Sequence, residues 1–154
     1  MLDEPGVLPF HINLPLYRAY GLLRLDAQVI VMEFQLVDRW LGLLRSGVRT
    51  LHLPYLALSG VELQKSWTGT RTLVLKASSL HPLRRIPGAL QGHCWLQVQR
   101  IHREQADIFS NALLLKLSEY QLARLTQSFE QDPLRLEPSW NERLVRLLLK
   151  KSNG

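Results

Sequence analysis

The sequence is short of cysteine, of acids relative to bases, and of long apolar runs. A single cysteine, Cys94, excludes an internal disulfide, and a chain without disulfides suits a reducing compartment. Thirteen acidic residues stand against nineteen lysines and arginines, a formal charge of +6. That balance favours anionic partners: nucleic acid, phospholipid head groups or an acidic protein. No apolar run approaches the roughly 18 residues of a membrane span. The nearest, "VIVMEFQLV", is short and contains Glu33 and Gln35. The opening "MLDEPGVLPF" has acids where a secretory signal carries bases. The expectation is a soluble, cytoplasmic protein without a transmembrane segment. Also missing are a Walker motif, a Gly-rich dinucleotide loop, a Gly-x-Ser-x-Gly elbow, any internal repeat and any low-complexity segment.

What is present is a globular balance, 46% hydrophobic and 21% charged over 154 residues, enough for one domain with a real core. Pro5, Pro9 and Pro15 prevent a regular helix in residues 1–20. These predict an extended N-terminal arm, with Phe10, Leu14, Leu16 and Tyr17 laid on the body. From Gly21 the period becomes two. "GLLRLDAQVIVMEFQLV" reads as two strands turned near Asp26 and Ala27, with Ile30, Met32, Phe34 and Leu36 on one apolar face. "DRWLGLLRSG" is a connector. "VRTLHLPY" is a short strand stopped by Pro54. "GVELQKSW" and "RTLVLKA" across "TGT" form a hairpin. Residues 78–92, with Pro82, Pro87, Gly88 and Gly92, are a loop. "HCWLQVQRI" alternates again, with Cys94, Leu96 and Val98 inward.

"HREQADIFSNALLLKLS" suits either period, and the reading adopted is a loop or turn followed by a strand at 112–117. Ser118 with Gln121 forms a capping box that opens a helix over 118–131. A second box, Ser139 with Glu142, follows Pro133 and Pro138 and opens a final amphipathic helix. Three segments result: the arm 1–20, a domain 21–131, and a linker with a basic helix at 132–154.

About seven short antiparallel strands followed by an amphipathic helix resemble a pleckstrin-homology-like domain, in the form of its compact bacterial members. The resemblance rests on "GLLRLDAQVIVMEFQLV", on "GVELQKSW" with "RTLVLKA", on "IPG" before "GHCWLQVQRI", and on "ALLLKLSEYQLARLTQSFE". It covers residues 21–131. It implies a mainly β, α+β fold: an antiparallel barrel of about seven strands, a C-terminal capping helix and one additional C-terminal helix. Phosphoinositide-binding members carry several bases on their first hairpin. The hairpin read as first here offers only Arg24, beside Asp26, so that activity does not carry over. A scaffold for partner binding is what the resemblance implies.

Chemistry is sparse. His93 and Cys94 are adjacent, so in a strand they point to opposite faces and cannot share one ion. Five scattered histidines offer no nucleophilic arrangement. No metal, cofactor or catalytic residue is assigned, and the chain is read as a non-enzyme. Arg84, Arg85, Arg100 and Arg103 flank one loop-strand unit and are candidate contacts for an anion or partner. Trp40, Leu41, Leu43 and Leu44 crowd a connector that should be polar. The final helix joins Trp140, Leu144, Leu147 and Leu148 to Arg143, Arg146, Lys150 and Lys151, the combination of a partner-binding or interfacial helix. The functional reading is a non-catalytic binding or scaffolding module, for a protein partner or for self-association. The alternatives are an acidic-lipid or peripheral membrane module and an electrostatic nucleic-acid binder.

Overall fold

The structure, a computed structural model, describes residues 6–131, with side chains through residue 128. Strands β1 (Leu8–Asn13), β2 (Tyr17–Leu25), β3 (Val29–Asp38), β4 (Arg49–Pro54), β5 (Leu58–Lys65), β6 (Arg71–Ala77) and β7 (His93–Val98) precede a helix, α1 (Arg103–Gln131). The fold is mainly β. All seven strands form one sheet in the order β4-β3-β2-β1-β7-β6-β5, antiparallel at every pairing. The two outer strands, β4 and β5, are not hydrogen-bonded to each other, so the expected barrel is an open sheet by its ladder. A division at Tyr120 splits the described residues into two units. The sheet and its core belong to the first.

Period-two patterning produces the strands as the sequence predicts. Ile30, Met32 and Phe34 are buried along β3, Leu73 and Leu75 along β6, and Cys94, Leu96 and Val98 along β7. They share one core with Leu8, Phe10, Ile12, Ala19, Leu23, Leu53 and Leu58. The turn between β2 and β3 falls at Asp26, whose N–H donates to the Val29 carbonyl at 2.9 Å. Gly21, in mid-β2, has no room for a Cβ, which would collide with the Phe10 ring and the Glu33 carbonyl.

Three expectations are corrected. Residues 8–20 are not an arm laid on the body. Leu8–Asn13 is the first strand, paired residue for residue with Arg18–Leu23, and the boundary placed at residue 21 falls inside β2. The hairpin read as the first is therefore the second. Pro9 is tolerated in β1 because the ladder to β7 is a single pair, His11 with Gln97.

The second correction concerns 103–117, which is helix, not loop and strand. Ala106, Phe109, Ser110, Leu113 and Leu117 are buried at helical spacing, and that apolar stripe packs into the sheet's core. The third follows from it. Ser118 opens no helix; it lies inside α1 with its hydroxyl donating to the Leu114 carbonyl four residues back, at 2.9 Å. The linker and final helix at 132–154 lie outside the described residues.

The antiparallel order sorts the connections to two ends of the sheet. The turns β2–β3 and β5–β6 and the passage from β7 to α1 leave at one end. There α1 makes its contacts: Gln105 donates to the Val7 carbonyl at 2.7 Å, and the Tyr120 hydroxyl to the Ala27 carbonyl at 2.9 Å. Asp107 pairs with Arg71 at 3.2 Å and with Lys65 at 3.6 Å. The β1–β2 turn and the loops β3–β4 and β6–β7 leave at the opposite end.

Candidate interaction surface

The stretch "RRIPGALQGHCWLQVQR" divides into parts with separate jobs. In β7, Cys94 points into the core, where burial pushes its thiol up to about 12. That is the environment of an unreactive thiol. His93 faces the other way and stacks on Trp95 at 5.8 Å between ring centroids. Among the described residues, no three His, Cys, Asp or Glu side chains converge in a metal-ligating group.

The four flanking arginines are not brought together. Arg84 and Arg85 stand in the loop that enters β7. Arg100 and Arg103 follow its exit, at the far end of a strand about 20 Å long. No hydrogen bond or ion pair joins the two pairs, and all four are exposed. Arg100 lies against the β5–β6 turn, its Nε 3.3 Å from the place a Cβ on Gly69 would occupy. With Ile101, Arg103 and Glu104 it lines an open depression of about 500 Å³. Glu104 puts a carboxylate into that depression, which weakens it as an anion site.

Arg84 and Arg85 belong to a different neighbourhood. Their loop is a run of turns closed by Arg84 N–H to the His81 carbonyl at 3.3 Å, Ile86 to Leu83 at 2.9 Å and Ala89 to Ile86 at 3.3 Å. Leu83 and Ile86 are buried in the core and anchor the loop on either side of two arginines that face water. Gly88, at φ +76°, lies so close to β1 that a Cβ there would come within 3.1 Å of Ile12 and Leu14. The loop is thereby seated beside the β1–β2 turn.

On the other flank of that turn stands the β3–β4 loop. The Arg39 N–H donates to the Leu16 carbonyl at 3.1 Å. The loop is closed by Asp38 N–H to the Leu44 carbonyl at 3.0 Å and by Ser46 N–H to the Leu36 carbonyl at 2.9 Å. The Asp38 carboxylate accepts from Leu41 N–H at 2.9 Å, the Ser46 hydroxyl from Leu36 N–H at 2.9 Å, and the Ser46 carbonyl from Gln35 Nε2 at 2.7 Å. Gly42 turns the tip at φ +63°, a conformation easy only for glycine.

This fixed tip holds its apolar side chains in water. Trp40 is 82% exposed, Leu41 71%, Leu43 79% and Leu44 72%. Val48 beside them, and Leu16 and Tyr17 on the neighbouring turn, are exposed too. Leu80 and Leu90 stand exposed on the β6–β7 loop. The crowded connector was legible in the sequence. Its closeness to the β1–β2 turn, which the Arg39–Leu16 hydrogen bond fixes, was not, because two loops far apart in local pattern contribute. The second candidate set, Trp140 to Lys151, lies outside the described residues.

No family model matches the chain, and comparison with curated proteins and with solved structures finds no match.

Proposed function

We propose that the protein is a non-catalytic binding module that attaches to a larger body through the loop end of its sheet. One observation carries this reading. Four large apolar side chains within five residues are held out in water by a hydrogen-bonded loop. A contiguous exposed apolar patch marks an interaction site more often than an accident of folding. Because the loop is already ordered, docking costs little conformational entropy. The reading keeps the scaffold function suggested by the sequence and moves the surface from the final helix to the β3–β4 loop.

The order of seven antiparallel strands followed by a helix supports the pleckstrin-homology-like reading of the fold. Enzymatic chemistry has little support: the one thiol is buried, with its pKa raised. A purely electrostatic nucleic-acid binder has less, since the arginines around β7 divide between two ends of the sheet. No described helix is long and apolar enough to cross a membrane. A cytoplasmic location belongs to this proposal and is supported by a chain whose single cysteine, Cys94, is free.

The test compares the full chain with its L41S/L43S/L44S variant in a cell extract fractionated by size and density. The wild type is expected in fractions larger than a free monomer. The variant, with an unchanged melting temperature, is expected as the free monomer. Identical distributions of the two proteins would end the proposal.

A further inference from the structure

We infer that α1 pairs with α1 of a second copy of this chain, parallel and in register, through the face it turns away from the sheet. The inference goes beyond the loop docking proposed above and rests on a different element.

The helix is apolar on two faces. Ala106, Phe109, Leu113 and Leu117 are buried in the sheet's core. On the other side Ile108, Leu115 and Leu122 follow one another at intervals of seven residues, and Leu125 stands one turn beyond. They are 61%, 62%, 64% and 56% exposed. Leu114, 43% exposed, flanks the row. A helix whose outer side meets only water is polar there. A seven-residue interval is the spacing at which one helix meets another, because two turns return each side chain to the same seam. The repeat thus specifies the shape of what covers the row, a second helix.

The residues between the leucines say which helix. Written as heptads, Ile108, Leu115 and Leu122 take one core position, and Asn111, Ser118 and Leu125 take the other. A parallel copy in register sets leucine on leucine at 115, 122 and 125. It also sets Asn111 against a second amide, which both donates and accepts. An antiparallel copy would oppose Asn111 to Leu122, and an unrelated apolar helix would bury it without a partner. Ser118 is easily buried, because its hydroxyl already donates to the Leu114 carbonyl at 2.9 Å. Charge does not oppose the pairing. Lys116 reaches to the sheet side, its Nζ 5.9 Å from the centre of the Tyr55 ring, and Asp107 is held by Arg71 and Lys65.

The size of the row sets the strength of the pair. From Ile108 to Leu125 it spans about 26 Å of helix. A stable dimer buries roughly 800 Å² per partner. Five large apolar side chains, with the two polar ones between them, come near the low end of that range. The pair is expected to dissociate with a Kd on the order of ten micromolar. It is therefore a monomer at the dilution of a cell extract and a dimer where the chain is concentrated. Pairing puts two β3–β4 loops on one particle, which raises the avidity for any body that offers two sites.

The experiment follows the mass of the purified full chain by sedimentation equilibrium from about 1 to about 200 µM, a range that brackets the expected Kd. The mass should rise from one chain to two. I108S/L115S/L122S should stay a monomer throughout, with an unchanged melting temperature in dilute solution, because none of the three side chains is in the core. L41S/L43S/L44S should pair as the wild type does. Single cysteines read the register. I108C and L122C should each give a disulfide-linked dimer under mild oxidation, and K116C, on the sheet side, should not. Cys94 is buried and does not compete.

A chain that stays monomeric at the highest concentration would overturn the inference. So would a dimer that survives I108S/L115S/L122S, since another surface would then join the copies. A dimer whose I108C and L122C forms do not cross-link would refute the parallel register. A dimer lost in L41S/L43S/L44S and kept in I108S/L115S/L122S would move the contact to the β3–β4 loop, ending the helix pairing while leaving loop docking intact.

Discussion

Gly21 sits where β2 passes under Phe10, and the space above its Cα is already filled by that ring and by the Glu33 carbonyl. A methyl group there must displace one of them, and the carbonyl is held in the β2–β3 ladder. Gly21→Ala is expected to cost about 1–3 kcal/mol in denaturant melts, as overpacking does. A change below about 0.5 kcal/mol would mean that the Phe10 ring simply moves aside. Cys94 makes the opposite kind of test. It lies in the buried cluster, opposite Leu75 across the β6–β7 ladder, and burial, which disfavours the thiolate, pushes its thiol up to about 12. The folded protein should therefore resist alkylation at neutral pH and react only when unfolded. Cys94→Ser should cost roughly 1–3 kcal/mol, because a hydroxyl without a partner enters an apolar site. Rapid alkylation of the native protein would show the thiol to be accessible.

At the scale of elements, α1 poses the sharpest question. The run "ALLLKL" reads as a strand because alternate leucines, 113, 115 and 117, would share one face. In the helix Leu113 and Leu117 are buried and Leu115 is exposed. Truncation separates the two arrangements. Leu113→Ala should cost about 2–5 kcal/mol, a buried-leucine value, and Leu115→Ala should change stability by less than about 0.5 kcal/mol. Equal losses at both positions would favour a strand. Asp107 ties the first turns of α1 to β5 and β6. The hydrogen bond from Arg71 is the main cause that holds its carboxyl below the ordinary range, with the charges of Arg71 and Lys65 adding to it. A carboxyl depressed on folding stabilises the fold above its unfolded pKa, about 3.9, and loses that stabilisation as pH falls through its lower folded value. Asp107→Asn should remove this acid-dependent loss from pH-resolved melts. At neutral pH it should cost no more than about 1 kcal/mol, because the pair is partly solvated. An unchanged acid limb would show that the pair contributes nothing to stability.

In the whole molecule the sheet has a weak line. Strands β2 and β6 are hydrogen-bonded on both sides, whereas β1 meets β7 through one residue pair. Four strands, β4 to β1, lie on one side of that seam, and three, β7 to β5, on the other. Side chains from both groups meet in a single core, so the halves are joined by packing more than by ladder. Amide exchange should show this. Amides of β2 and β6 should exchange only with global unfolding, and those along the β1–β7 seam earlier. Uniform protection across all seven strands would mean that the seam is as tight as the ladders.

The same layout separates what the sequence determined from what only the folded chain decided. Local periodicity fixed β3, the β5–β6 hairpin, β7 and the loop 78–92, since alternation and turn residues act over a few neighbours. It also exposed the oddity of Trp40 to Leu44, because a connector has no local reason to be apolar. Three features lay beyond it. Strand β1 was hidden by prolines whose cost depends on which neighbour needs their missing donor, and that neighbour, β7, is more than eighty residues away. The identity of 103–117 was hidden because the apolar run fits two periods, and only the face the core accepted chose between them. The seating of the β1–β2 turn between the β3–β4 loop, at Arg39, and the β6–β7 loop, at Gly88, follows from strand order. Which loops share an end of a sheet is settled by long-range pairing, and no local pattern in a sequence encodes it.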